Sequence, residues 1–459
     1  MLLEIFWWWF LIEILGFLAL PIIIFTCKNL PDKGYSVSKI VSILLLSYFT
    51  WIFSHFIGYN FLSISLSIFV LILSFIWLGN YHRVFSFFKE NKETIKKMEI
   101  VFLGFFLFFS ILRAHTPDIN GLEKFSDFAI INGILRSDEM PPDDTWLSGE
   151  NINYHYFGHF ILTTLTKISH LPSNYTFNLG LASTFALLAL ASFGIGFNLT
   201  KNYKFALLTI FLIVLMSNLF GYIQSITFAF PSLKQPFINY LNLEYPLNCC
   251  INENATFLKK LTTIPVWSST RIIPGTINEF PYSDFLFGEL HPHAISLPFQ
   301  LLFLVLLLNL FLSKGKFFNI FGKIISQKIA SIFLISLSLG SLFMINRWDF
   351  PIYFLMFGIA FVLINLERIK FNQRSLINLL FPLGIVWLLS FLLFIPFYLS
   401  VKSSTPLGIV NEKTEFFHFF IIFSVFIFII ALYFISKLKK DEIFFLFLTS
   451  AFIAYTMNT

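Results

Sequence analysis

Acidic and histidine residues are concentrated in two short segments of an otherwise apolar chain. The first segment, island 1, covers residues 115–159 and ends in NYHYFGH, and the second, island 2, covers residues 284–293 and reads DFLFGELHPH. Carboxylates and imidazoles are the side chains that bind divalent cations and that exchange protons near neutral pH. Because only 12% of the residues are charged, this concentration makes the two islands the candidate functional site.

The strongest candidate within island 1 is Asp127. The residues from Asn120 to Glu123 have the N-x-x-E form of a capping box, which predicts a helix from about residue 121 to Arg136. Glu123 therefore has a structural alternative as part of that cap. Asp127 lies one turn further along the same helix face and has no capping duty. Two carboxylates on one face can bind a divalent cation, or one of them can act as a general base with a raised pKa.

The end of island 1 allows two interpretations. His155 and His159 lie one helical turn apart, and Tyr154 and Tyr156 flank the first histidine. Such a cluster binds the phosphate or hydroxyl groups of a substrate, or else places tyrosine and histidine heads in a lipid headgroup layer. The sequence favours neither. In the preceding PPDDTW, the pair of aspartates at 143 and 144 is typical of a solvated turn after two prolines.

Island 2 predicts a metal or phosphate site at the start of a helix. Pro292 suits the first helical position, so Glu289 and His291 lie in the approach to a helix N-terminus with free N–H groups. With His293 they supply the donors of a metal-bridged phosphate site. We expect Asp127, Glu289, His291 and His293 to bind a divalent ion, Mg or Mn.

A third polar segment, NRWDFP, covers residues 346–351. Arg347 and Asp349 form an ion pair in one interpretation. In the other, the Arg347 guanidinium binds an anionic leaving group, for which its planar donors are suited. Arg271, in the long segment before island 2, is the second candidate for that role.

The composition predicts an all-α polytopic integral membrane protein. Hydrophobic residues make up 57% of the chain, aromatic residues 20%, and the mean hydropathy is +0.79. The apolar runs do not alternate as the strands of a membrane barrel do, so they are helices. They predict about twelve transmembrane helices. The formal net charge of +6 comes from short loops between these runs, which excludes nucleic acid as a partner and indicates membrane lipid.

The distribution of charge predicts the topology. Placing one set of loops in the cytoplasm gives that face 20 of the 31 Lys and Arg residues and leaves the other face 16 of the 25 acidic residues, both islands included. This requires that the run 153–171 does not cross, so we expect a membrane-parallel helix, re-entrant or surface-lying, on the outer face. The N-terminus then lies outside the cell membrane, and the two islands meet at one membrane face.

The same topology predicts two regions. Residues 1–98 form three accessory transmembrane helices and a cytoplasmic interfacial helix, for which a plain basic loop is the alternative. Residues 99–459 form the membrane core, with outer loops 115–174 and 225–290. Apart from Glu13 the predicted spans carry almost no charge, which favours chemistry at the surface over a charged path through the membrane.

Five motifs, in order, resemble those of the uncharacterised YYY membrane protein family: EKFSDF, PPDDTWLSGE, NYHYFGH, GELHPH and NRWDFP. The resemblance covers most of the chain from about residue 99 onward. His155 stands where the run that gives that family its name has a tyrosine. The chain ends at YTMNT, where the resemblance implies that the family's sequence continues.

That family is in turn similar in architecture to the GT-C membrane glycosyltransferases, which take a sugar from a polyprenyl-phosphate donor. The similarity implies that Asp127 and Glu289 are the two catalytic acidic positions, with Asp127 as base or metal ligand. It further implies that Arg347 steadies the departing phosphate. The alternative is a non-catalytic transporter or lipid-binding membrane protein whose polar islands line a translocation path.

Overall fold

The computed structural model describes residues 2–79, 81–230, 232, 256, 266–313, 325–365, 373–402 and 413–437. Within these residues the protein is helical and contains no strand, and an isolated bridge joins Asp143 to Asn151. The prediction of an all-α membrane protein is confirmed at this level. The predicted span at 442–457 lies outside the described residues.

The helices of the first part of the chain follow the apolar runs closely. They are α1 (Leu2–Thr26), α2 (Ser38–Ile57), α3 (Phe61–Leu78), α4 (Tyr81–His115), α5 (Lys124–Arg136), α6 (Phe157–Ser169), α7 (Ser173–Thr200), α8 (Tyr203–Ile210) and α9 (Phe220–Ala229). A 3₁₀ turn, Tyr35–Val37, precedes α2, and a π-helical segment, Phe211–Leu215, continues α8.

The helices of the second part are α10 (Val266–Ser269), α11 (Pro281–Phe287), α12 (Pro292–Leu312), α13 (Ile325–Ile345), α14 (Asp349–Asn365), α15 (Gln373–Leu392), α16 (Ile395–Ser400) and α17 (Phe416–Lys437). Pro292 is the first residue of α12, as its fixed φ and missing N–H predict.

Seven helices in the described parts of the chain are long and apolar enough to cross a membrane. The number is eight if the bent pair Tyr203–Leu215 and Phe220–Ala229 forms one span. The expectation of about twelve is not reached in these residues. One reason is length: α14 has 17 residues, about 25 Å at 1.5 Å per residue, against about 30 Å of hydrocarbon. The orientation of the N-terminus stays a prediction.

The helix bounds differ from the predicted segments in two places. The interfacial helix at 80–98 and the span at 99–114 are one continuous helix of 35 residues, α4, so the predicted region boundary at 98/99 falls inside a helix. Lys39, assigned to a cytoplasmic loop, lies in the first turn of α2 and is 2% exposed. The reason is that the chain re-enters helical structure at Tyr35, so this loop is shorter than the apolar pattern suggests.

Helix α6 lies within the run 153–171, which is predicted not to cross the membrane. Its 13 residues extend about 20 Å, too short to cross a bilayer alone. Nearly all of its side chains are buried, against α2, α5, α7, α12 and α13. It is therefore an internal helix, which agrees with a re-entrant segment and not with a surface-lying one.

The chain divides into two compact units. Unit 1 comprises Met1–Leu215 and Asp284–Thr405, and unit 2 comprises Met216–Ser283 and Pro406–Thr459. The core of unit 1 is built from α1 to α8 and α12 to α16, and both islands lie within unit 1. In unit 2, Phe220, Ile272, Ile421 and Ile422 form a small apolar cluster.

Candidate functional site

The two islands contact each other in unit 1 through Glu123. Its backbone N–H donates to Glu289 Oε1 at 2.9 Å, and its carboxylate Oε2 lies 2.5 Å from His291 Nδ1. The predicted capping box is wrong, because α5 begins at Lys124 and the Glu123 side chain makes no cap hydrogen bond. Gly121 and Leu122 have positive φ, a conformation that a right-handed helix cannot include, so the helix starts later than predicted.

Asp127 lies at the centre of the contact between the islands. Its side chain is 2% exposed, and Oδ1 lies 3.3 Å from His159 Nε2 and 3.8 Å from His291 Nδ1. Its second oxygen, Oδ2, is buried and has no hydrogen-bond partner among the described residues. We call Glu123, His291, Asp127 and His159 the Asp127 cluster. It alternates carboxylate and imidazole from the partly exposed Glu123 to the fully buried His159.

The local fold explains why an aspartate is buried here. Asp127, Ile131 and Ile134 follow the i, i+4, i+7 pattern of one helix face, and all three are buried. The apolar stripe of α5 therefore carries the carboxylate into the core. His159 lies in the first turn of α6, where the N-terminal end of the helix dipole favours a nearby negative charge.

His293 belongs to a second acid–histidine pair. Its Nε2 lies 3.4 Å from Asp284 Oδ2, and its ring centroid lies 4.9 Å from that of His291. Asp284 is also buried, and its Oδ1 has no hydrogen-bond partner among the described residues. The predicted metal ligands are therefore neighbours, but they are divided: Asp127 and His291 contact each other, His293 contacts Asp284, and Glu289 contacts the Glu123 backbone.

The Asp127 cluster offers donors for a metal ion without presenting them in a coordination geometry. Among the described residues, no three acidic, histidine or cysteine donors that lie within 4.8 Å of one another include Asp127. Binding would therefore require small side-chain rotations. Mixed carboxylate and imidazole donors suit Mn²⁺ better than Mg²⁺, which prefers oxygen ligands and water. The metal site predicted at Asp127, Glu289, His291 and His293 stays a prediction.

Tyr154, His155 and Arg347 border the cluster. The Tyr154 and His155 rings stack with their centroids 3.8 Å apart. Burial, followed by electrostatic repulsion from Arg347 and then from His159 and His291, lowers the pKa of His155 to about 3. Burial also raises the pKa of Tyr154 to about 12, assisted by the negative charges of Asp127 and Glu123. His155 is therefore neutral at physiological pH, and Arg347 lies near enough to act on both rings.

Burial likewise lowers the pKa of His291, and the nearby His293 and His159 act in the same direction. The carboxylates of Asp127 and Glu123 oppose this shift. A neutral imidazole between two carboxylates can accept a proton from one side and return it to the other.

Some predicted site residues have structural roles. Tyr156 is fully buried, and its hydroxyl accepts a hydrogen bond from Trp51 Nε1 at 3.1 Å, so it belongs to the core. Asp144 Oδ1 accepts the backbone N–H groups of Trp146 and Leu147, which confirms the predicted turn.

Asp349 is buried and accepts hydrogen bonds from the Gln300 and Asn346 side-chain amides. Arg271 belongs to unit 2, where its guanidinium lies 3.4 Å from Glu279 Oε1 and over the Trp267 ring.

A model of the family described as "Uncharacterized membrane protein (DUF2298)" matches residues 45–459, a range that contains the whole Asp127 cluster. The chain belongs to this family. No curated protein and no solved structure matches it. Membership in DUF2298 establishes a membrane protein with several apolar helices, and it leaves the chemistry of the Asp127 cluster to be argued from the residues themselves.

Sequence reasoning missed two members of the site. Glu123 was discounted because a capping motif accounted for it, although its backbone and carboxylate both bind island 2. Asp284 received no role, although it pairs with His293 across nine residues. The excess of acidic residues in both islands identified the region of the site. It did not identify which acidic side chain contacts which histidine.

Proposed function

We propose that the protein is a membrane glycosyltransferase that transfers a sugar from a polyprenyl-phosphate-linked donor at the outer face of the cell membrane. The observation that carries this proposal is the state of Asp127. This carboxylate is buried, one oxygen lies 3.3 Å from His159 Nε2 and 3.8 Å from His291 Nδ1, and the other has no hydrogen-bond partner among the described residues. A buried, oriented carboxylate with a vacant oxygen is the arrangement that a general base requires.

The proposed reaction uses that vacant oxygen. The acceptor hydroxyl donates its proton to Asp127 Oδ2 as its oxygen forms a bond to the anomeric carbon of the sugar. The bond between that carbon and the phosphate oxygen breaks, and polyprenyl phosphate leaves with the electron pair. His159 keeps Asp127 in place through Oδ1 and stabilises its charge.

The remaining side chains supply binding and charge. Arg347 would contact the leaving phosphate, as a guanidinium suits its oxygens, with Tyr154 and His155 as stacked rings beside it. A divalent ion, when bound at Asp127, would neutralise phosphate charge and favour its departure. Glu289 holds the Glu123 backbone, so in this proposal it positions the cluster instead of reacting.

The test is turnover of lipid-linked sugars by the purified protein in nanodiscs, measured as release of polyprenyl phosphate from a panel of donors. Removal of a general base typically costs about 10² to 10⁴ in rate, and we expect a loss of that size in Asp127→Asn. Asp144→Asn is the matched control, because Asp144 caps an exposed turn of the same island. Equal turnover by Asp127→Asn and the wild type would remove Asp127 from the mechanism. Failure to release polyprenyl phosphate from any donor would overturn the proposed function.

Transport is the second candidate function, and one observation favours it. Contrary to the expectation that the spans carry almost no charge beyond Glu13, Lys39 is buried between Glu13 of α1 and Glu99 of α4. Ionisable groups between apolar helices are common in transport pathways. Uptake of a labelled lipid-linked sugar into proteoliposomes, with no release of polyprenyl phosphate, would favour transport over transfer.

A further inference from the structure

Three ionisable side chains meet between α1, α2 and α4. Lys39 Nζ lies 2.8 Å from Glu13 Oε2 and 2.6 Å from Glu99 Oε1. The hydroxyl of Tyr35 donates to the same Glu99 oxygen at 2.7 Å. We call Lys39, Glu13 and Glu99 the Lys39 triad. It shares no residue with the Asp127 cluster, and it lies mainly outside the range that the family model matches.

In the triad, the Lys39 ammonium group has acceptors for its hydrogen bonds, whereas one Glu13 oxygen has no donor in the described part of the chain. The ammonium group contacts both carboxylates and lies 4.9 Å from the centre of the Phe102 ring, so its three donors have acceptors. Glu13 Oε1, in contrast, is buried and has no hydrogen-bond partner among the described residues. Among these residues, Glu13 Oε1 therefore lacks a hydrogen-bond donor.

Charge balance indicates what the missing donor is. Two ionised carboxylates and one ammonium leave a net charge of −1 in apolar surroundings, which is strongly unfavourable without compensation. Lys39 from α2 and Glu99 from α4 are the charged groups that act on Glu13 among the described residues, and no other packed helix supplies a cation. One additional proton makes the triad neutral and gives the two carboxyl groups a hydrogen bond to share.

We propose that the Lys39 triad is a proton-binding site that holds one proton, shared between the Glu13 and Glu99 carboxyl groups. The exposure of the side chains fits exchange of that proton. The Lys39 side chain is 2% exposed, whereas the side chains of Glu13 and Glu99 are 22% and 29% exposed, so the proton exchanges from the glutamate side of the triad. The proposal goes beyond the proposed function and holds whether the protein is a transferase or a transporter.

Infrared spectroscopy of the full-length protein in nanodiscs at neutral pH tests the proposal. A protonated carboxyl group gives a C=O stretch above the amide I band, and difference spectra between wild type and variant assign it. We expect Glu13→Gln to lose the intensity of one carboxylic acid per chain. Glu99→Gln should lose the same intensity, because Lys39 and the remaining carboxylate then form a neutral pair. Glu93→Gln, an exposed site on the same helix as Glu99, is the matched control and should lose none.

Lys39→Gln gives a result that a purely structural role does not predict. Without the ammonium group, neutrality of the triad requires two protons. The intensity that the triad contributes should therefore rise from one carboxylic acid to two. If Lys39→Gln does not fold, the two glutamine variants decide the question alone. The proposal is overturned if neither glutamine variant changes the carboxyl band. It is also overturned if the band appears only when sodium is omitted, because a metal cation then occupies the site.

Discussion

The depressed pKa of His155 predicts a specific loss of stability in acid. The pKa falls from an ordinary value of 6.5 to about 3 in the folded protein, first because of burial and then because of the charge of Arg347. The folded state therefore keeps His155 neutral in a pH range where the unfolded chain protonates it. The stabilising contribution is complete above pH 6.5 and is lost as the pH falls toward 3.

The size of the effect follows from the proton difference between the two states. One extra proton on the unfolded chain changes the free energy of unfolding by about 1.4 kcal/mol per pH unit. Acidification from pH 6.5 to 5 should therefore remove about 2 kcal/mol through His155. In His155→Asn this contribution is absent, so the variant should show a shallower pH dependence. Arg347→Gln should fall between the two, because one cause of the shift is gone.

The assay is denaturant unfolding in detergent micelles, followed by tryptophan fluorescence between pH 5 and 8. The informative quantity is the difference in slope between the wild type and His155→Asn, because other titrating groups contribute equally to both. Identical slopes would refute the reasoning, and so would a wild type that becomes more stable in acid than the variant.

Two further substitutions test the placement of buried groups. Tyr156→Phe leaves Trp51 Nε1 without its buried acceptor and should lower the free energy of unfolding by about 1–3 kcal/mol; unchanged stability with impaired turnover would return Tyr156 to the substrate site. Gly194→Ala would place a Cβ against the Ser36 side chain and should cost about 1–3 kcal/mol by overpacking. Gly104→Ala, where nothing lies within 4 Å, should be neutral or stabilising by the same unfolding assay.

The sequence determined the class of protein and the region of the site. Apolar composition without strand alternation required membrane helices, because a lipid-facing backbone must satisfy its own hydrogen bonds. The excess of acidic and histidine residues located both islands, and Pro292 located the start of α12. These are local properties, which composition, spacing and backbone restrictions carry by themselves.

Only the tertiary structure decided which side chains act together. Tyr154 and Tyr156 are two residues apart, yet one stacks on His155 beside the cluster and the other binds Trp51 in the core. Asp127 meets His159 of α6 and His291 at the N-terminal end of α12, and Lys39 meets Glu13 of α1 and Glu99 of α4. The reason is that periodicity shows which face of a helix is apolar, whereas the partner of a polar group on that face depends on how separate helices pack.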